Sequence, residues 1–131
     1  MQQTIHVVED DLDVLALARD FLERAGYAVV TAVDGEEGLR LYEEQHPDIS
    51  LLLTDVTIPK MNGHDLAGRI LKLDSRLPVV LMSGDPREQE SSMECLVKPF
   101  TPGELLGCVG RALERRARQF EKEPVCQEQV R

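Results

Sequence analysis

The chain has 131 residues, of which 30% are charged and 42% are hydrophobic, a balance typical of one globular domain with a single core. Its net charge of −9 gives no support to a nucleic-acid-binding surface, because contacts to phosphates need an excess of Lys and Arg on one face. No segment has the roughly 20 apolar residues that cross a bilayer, and the first residues lack the charged start of a signal peptide, so we expect a domain with no membrane partner.

Short apolar runs typical of buried strands alternate with helical patterns along the chain. The predicted strands are residues 5–9, 28–31, 49–54, 79–82 and 95–97. The third run is apolar at nearly every position, as in a strand that is buried on both faces of a parallel sheet. Alternation of this kind predicts the α/β class, with a doubly wound parallel sheet of five strands and helices on both of its faces.

The helices between these strands carry recognisable start and stop signals. Gly26 is expected to end the first helix, and a third helix is predicted over about 64–73. Asp34 followed by Glu37 predicts a capping box at the start of the second helix. The last helix has the same kind of start in TPGE at residues 101–104.

The connection between the fourth and fifth strands is unusually short. Only eleven residues separate Ser83 from Cys95, whereas a parallel crossover needs about ten to twelve residues with its helix included. We therefore predict that the fourth helix is shortened or missing. At the other end of the chain, the polar residues 121–131 predict a tail or the start of a linker, so the domain is assigned to residues 1–120.

Acidic residues follow two of the predicted strands. Glu9, Asp10 and Asp11 end the first strand and Asp55 ends the third, and the carboxyl ends of parallel strands form the edge where open α/β folds bind ligands. Carboxylates that lie this close together need a cation, and oxygen ligands of this kind suit Mg²⁺, or Mn²⁺ in its place. Alternatively, Asp10, Asp11 and Asp13 cap the following helix, which would explain Asp11 but not the second acidic strand end.

Two further strand ends add a hydroxyl and an ammonium group. Taken alone, Ser83 is a turn residue and Lys98 is a solvated charge. Taken together with a cation, they would give each oxygen of a phosphoryl group on Asp55 a partner, so that positioning and electrostatics carry the transfer. The added negative charge would pull Ser83 and its loop inward.

Four segments in this order, VVEDD at 7–11, LLTDVTIPKMNG at 52–63, LMSG at 81–84 and VKPF at 97–100, resemble the receiver domain of two-component response regulators. The resemblance covers residues 4 to about 118. It implies a flavodoxin-like (CheY-like) sheet with strand order 2-1-3-4-5. It also implies the following roles: Asp55 is the phospho-acceptor and a metal ligand, Asp10 is a direct Mg²⁺ ligand, Glu9 is its acidic companion, Thr57 is a ligand through its backbone carbonyl, Ser83 is the conformational hydroxyl, and Lys98 is the lysine that pairs with the phosphate.

The resemblance further implies that phosphate comes from a sensor histidine kinase or a phosphotransfer protein, and that the signal passes to an output domain or protein. No enzyme activity is then expected beyond self-phosphorylation and slow autodephosphorylation. Residues 81–84 and 98–102 also resemble receivers attached to hybrid histidine kinases, so a phosphate relay or sink is an alternative output. Cys95 stands where the family commonly has an aromatic residue, so the chain departs from the family on the side that usually carries output.

Two other classes of function remain open. A pseudo-receiver would bind partners without being phosphorylated. A phosphatase with an aspartyl-phosphate intermediate would commonly have a second Asp two residues after the nucleophile, where this chain has Thr57. Three cysteines, Cys95, Cys108 and Cys126, are odd in number and lack metal-ligand spacing, so we expect reduced thiols in a cytoplasmic protein.

Overall fold

The computed structural model describes residues 2–85 and 94–127, with side chains up to residue 117. The elements in chain order are β1 (Thr4–Val8), α1 (Leu12–Arg24), β2 (Ala28–Ala32), α2 (Gly35–Gln45), a 3₁₀ turn (His46–Asp48), β3 (Ile49–Asp55), α3 (Gly63–Leu73), β4 (Val79–Ser83), β5 (Glu94–Val97) and α4 (Pro102–Gln127). None of the helices within these ranges is long and apolar enough to cross a membrane.

The five strands form one parallel sheet in the order β2-β1-β3-β4-β5, which confirms the predicted topology. Leu51, Leu52 and Leu53 in β3 are fully buried, because successive side chains of this strand face the two halves of the core. Leu51 and Leu53 pack with α1 and α4 on one face of the sheet. Leu52 packs with α2 and α3 on the other face. The sheet is therefore covered on both sides, as the apolar runs predict.

The predicted helix caps are present. Asp34 accepts a hydrogen bond from the amide of Glu37 at 2.8 Å. At the start of α4, the Thr101 hydroxyl accepts from the Glu104 amide at 3.1 Å, and Oε1 of Glu104 accepts from the Thr101 amide at 2.9 Å. Gly26 follows α1 in the left-handed region, with φ of 100°, a conformation that glycine adopts readily. These caps fix the end of α1 and the starts of α2 and α4, and so they bound the loops that join these helices to β2 and β5.

Two predictions concern the end of α4 and the connection between β4 and β5. The backbone of α4 continues to Gln127, so the first residues of the predicted tail extend the helix, while the domain end at residue 120 stays a prediction. The shortened or missing fourth helix was predicted within residues 86–93, which lie outside the described residues.

Candidate functional site

The carboxyl ends of three neighbouring strands meet at one edge of the sheet. β1 pairs with β3 so that Val8 lies beside Thr54, and β3 pairs with β4 so that Asp55 lies beside Met82. Glu9 and Asp55, the next residues along, are consequently neighbours, and both are buried. The fold thus brings together the acidic strand ends that the sequence predicts.

Lys98 reaches this edge from the end of β5. Its Nζ lies 2.8 Å from Oδ2 of Asp55 and 3.1 Å from Oε1 of Glu9. Burial by itself would lower the pKa of Lys98, but the hydrogen bonds and charges of Asp55 and Glu9 outweigh it and raise the pKa above its ordinary value. Lys98 is therefore an ion-paired cation of the site, and its interpretation as a solvated surface charge is wrong.

Three carboxylates at this edge form a cluster that could hold a metal ion. One oxygen from each of Glu9, Asp10 and Asp55 lies within 4.8 Å of the others, and Asp10 is the exposed member. Burial, together with the nearby charge of Asp55, raises the pKa of Glu9, although the amide of Asp11 and Lys98 act in the opposite direction. An all-oxygen ligand set that is short of positive charge fits a hard divalent cation.

Asp11 lies outside the cluster and has the capping role that the sequence left open. Its Oδ1 accepts hydrogen bonds from the amides of Asp13 and Val14, at 3.0 and 3.3 Å, at the start of α1. The Asp11 amide in turn donates to Oε2 of Glu9 at 3.0 Å. The helix-capping interpretation therefore holds for Asp11, while Asp10 belongs to the carboxylate cluster.

The backbone of Thr57 and the hydroxyl of Ser83 lie close to the site. The amide of Thr57 donates to Oδ1 of Asp55 at 3.2 Å. Ser83 is buried, and its hydroxyl donates to the carbonyl oxygen of Asp85 at 3.0 Å and accepts from the Asp85 amide at 2.9 Å. The Ser83 hydroxyl is thus engaged with the loop after β4 in this state.

Sequence reasoning missed two glycines that shape the site. Gly63 packs against the carbonyl oxygen of Asp55, where any side chain would collide, and its amide donates to the carbonyl of Val56 at 2.7 Å. Gly35, the first residue of α2, packs against Met61, which lies in the loop between β3 and α3. The dipeptide Asn62-Gly63 was a visible turn signal, but the contact of Gly35 depends on tertiary packing and has no local signal.

The protein is thus a doubly wound α/β domain. It has a carboxylate cluster and an ion-paired lysine at the carboxyl edge of its sheet, which is the edge where folds of this class bind ligands. Residues 5–109 match the family described as the response regulator receiver domain. The chain therefore belongs to this family, whose members are the receiver domains of two-component systems.

Comparison with individual proteins agrees with this assignment. The chain is 37% identical over 117 residues to the transcriptional regulatory protein PrrA of Mycobacterium bovis, covering 84% of this chain and 49% of PrrA. It is similar to a response regulator receiver domain protein from Clostridium thermocellum, with a TM-score of 0.80, 29% identity and coverage of 88% and 97% of the two chains. It also resembles the receiver domain of the hybrid histidine kinase CckA, with a TM-score of 0.75, 34% identity and coverage of 84% and 98%. The chain spans about half the length of the curated relatives it matches.

Proposed function

We propose that this chain is a phosphoacceptor receiver domain of a two-component phosphorelay. Asp55 accepts a phosphoryl group from the phosphohistidine of a sensor histidine kinase or a phosphotransfer protein, and the domain changes conformation in response. The observation that carries the proposal is the position of Lys98, 2.8 Å from Asp55, beside the carboxylate cluster of Glu9, Asp10 and Asp55. A buried carboxylate with a paired cation and a metal-type ligand set is suited to accept a negatively charged group.

The carboxylates of Glu9, Asp10 and Asp55 and the carbonyl of Thr57 would hold Mg²⁺, or Mn²⁺ in its place. Bound there, the ion supplies positive charge that lowers the repulsion between the incoming phosphoryl group and the Asp55 carboxylate. In the transfer, the bond from the histidine nitrogen to phosphorus breaks as a bond from an Asp55 carboxylate oxygen forms. The Thr57 amide orients this carboxylate through Oδ1.

Lys98 and Ser83 act on the product. The ammonium of Lys98 is already beside Asp55 and pairs with a phosphoryl oxygen once the group is attached. The Ser83 hydroxyl, now bonded to the backbone of Asp85, moves to another phosphoryl oxygen. Because this movement gives up two hydrogen bonds in the loop after β4, the loop changes conformation with it.

The proposal includes no turnover beyond self-phosphorylation and slow autodephosphorylation. A phosphatase with an aspartyl-phosphate intermediate needs a general acid near the nucleophile, and Thr57 offers no carboxyl group. We propose that the domain acts in the cytoplasm and passes its signal to an output domain or protein. The relatives named as transcriptional regulators support an output of this kind, and the similarity to the CckA receiver supports a phosphate relay.

The test is incubation with Mg²⁺ and acetyl phosphate or phosphoramidate, followed by intact mass measurement. We expect one phosphoryl group on the native protein, none on Asp55→Asn, and normal labelling of the matched control Asp11→Asn, whose carboxylate caps α1. Asp10→Asn should weaken Mg²⁺ binding. A folded native protein that gains no phosphate would support the pseudo-receiver, and release of phosphate from a generic ester over many turnovers would support the phosphatase.

A further inference from the structure

The loop between β3 and α3, residues 56–62, forms one side of the site. At its start, the Thr57 amide donates to the Asp55 carboxylate. At its end, the amide of Gly63 donates to the carbonyl of Val56 at 2.7 Å. The position of this loop therefore sets both the orientation of the Asp55 carboxylate and the position of the Thr57 carbonyl that would face the metal.

The outer side of this loop packs directly against the first residue of α2. The amide of buried Gly35 donates to the carbonyl of Pro59 at 3.1 Å. A Cβ added to Gly35 would lie 2.5 Å from Cβ of Met61 and 2.7 Å from its carbonyl oxygen. These atoms belong to the backbone or are fixed to it, so no side-chain rotation could relieve the overlap.

Two ion pairs lie at the same contact. Lys60 has a φ of 70°, in the left-handed region that non-glycine residues rarely adopt. Its ammonium lies 3.7 Å from Oδ2 of Asp34 and 3.8 Å from Oε1 of Glu36. Residues 59–61 of the loop thus meet residues 34–36 through a backbone hydrogen bond and close packing, and the ion pairs of the exposed Lys60 add little to this contact.

We infer that Gly35 is a positioning residue for the metal and phosphoryl site, acting through the loop between β3 and α3. Carbon atoms in contact stand about 3.5–4.0 Å apart, so a side chain at Gly35 would displace Met61 by roughly 1 Å. Mg²⁺ demands near-ideal octahedral coordination with ligand oxygens at about 2.0–2.1 Å, so the protein must place those oxygens accurately. If the displacement of Met61 moved Thr57, four residues earlier in the chain, by even a fraction of this distance, it would disturb a metal site formed by the Thr57 carbonyl and Asp55. The inference rests on the proposed function of this site.

The test compares Mg²⁺ affinity of unphosphorylated variants by calorimetry with their thermal stability. We expect Gly35→Ala to bind Mg²⁺ about tenfold more weakly than native protein, the size of effect seen when groups that orient metal ligands are changed. The matched control is Gly68→Ala on the exposed face of α3, where an added Cβ meets nothing within 4 Å, and its affinity should be native. Leu105→Ala, a buried change in α4, should lower the melting temperature and leave Mg²⁺ affinity unchanged.

The inference would be overturned if a folded Gly35→Ala variant bound Mg²⁺ within about twofold of native protein, since the expected effect is about tenfold. If Gly35→Ala does not fold, Lys60→Val replaces it, since a β-branched residue strains the φ of 70° at the same contact. Native Mg²⁺ affinity in folded Lys60→Val would then overturn the inference. Native protein that neither binds Mg²⁺ nor accepts phosphate would contradict the proposed function itself, which separates the two failures.

Discussion

The ammonium of Lys98 lies between the carboxylates of Asp55 and Glu9, 2.8 Å from one and 3.1 Å from the other. A single cation thereby neutralises part of the charge that three neighbouring acidic residues concentrate at this edge of the sheet. The same geometry places the lysine where a phosphoryl group on Asp55 would need a partner. Lys98 thus pairs with both carboxylates in this structure and is also in place for the phosphorylated state that we propose.

Lys98→Met should lower the free energy of unfolding of the metal-free protein by about 2 kcal/mol, because the carboxylates lose their charged hydrogen-bond donor. Mg²⁺ should restore part of this loss by supplying positive charge to the same cluster. The measurement is urea unfolding with and without Mg²⁺. Lys72→Met, an exposed change on α3, is the control and should shift stability little in either condition. Equal stability of Lys98→Met and native protein without Mg²⁺ would show that the ion pairs contribute nothing.

Ser83→Ala should uncouple the loop after β4 from phosphorylation. In native protein the Ser83 hydroxyl accepts from the Asp85 amide, so movement of the hydroxyl to a phosphoryl mimic should speed hydrogen exchange at that amide. The variant has lost this bond already, and a beryllofluoride-type mimic should therefore change its Asp85 exchange little. Ser83→Thr keeps the hydroxyl and is the matched control. A native-like response in Ser83→Ala, followed by NMR, would rule out this role for the hydroxyl.

The arrangement of the fold and site was predictable where the sequence signals are local. The apolar run of β3 ends at Asp55, and the ends of parallel strands share one edge, so the meeting of Glu9, Asp55 and Lys98 follows from strand order. The packing of Gly35 against Met61 is a contact between segments that are distant in the sequence, and no local sequence pattern predicts it.

The last helix shows a second limit of the sequence signals. Its apolar stripe fades after residue 120, which predicted a polar tail, yet its backbone remains helical to Gln127. The hydrogen bonds of an α-helix join backbone groups and do not depend on an apolar stripe, so the end of a hydrophobic pattern does not by itself mark the end of a helix.

His6 should make the protein less stable in mild acid. It is fully buried, with Nδ1 3.2 Å from the carbonyl oxygen of Val30 and Nε2 2.8 Å from that of Gly38. Burial lowers the pKa of His6 below its ordinary value of 6.5, outweighing the two carbonyls and the charge of Glu37, which act to raise it. In the unfolded chain the His6 imidazole then takes up a proton near pH 6.5, whereas in the folded chain it does so only at lower pH. Stability from this residue is present above pH 6.5 and is lost as the pH falls towards the folded pKa.

The measurement for His6 is urea unfolding of native protein and His6→Gln at pH 7.5, 6.5 and 5.5, conditions chosen to span the ordinary pKa of histidine, about 6.5. Native protein should lose up to about 1.4 kcal/mol per pH unit relative to the variant across this window. The difference between the two proteins isolates His6, since all other groups are common to both. Parallel curves would mean that His6 takes up its proton equally in the folded and unfolded states.

Arg116 should stabilise the opposite edge of the sheet without affecting the phosphorylation chemistry. Its Nη1 donates to the carbonyl of Ser50 at 3.2 Å, and its Nη2 lies 3.8 Å from Oδ2 of Asp74, so this residue of α4 connects the start of β3 with the end of α3. Arg116→Ala should lower the free energy of unfolding by about 1–2 kcal/mol in urea. Arg115→Ala is the matched control, because the more exposed pair of Arg115 with Glu94 should contribute less, about 0.2–1 kcal/mol. Both variants should take up phosphate from acetyl phosphate at the native rate, and a slowed rate in Arg116→Ala would show that the two edges of the sheet are coupled.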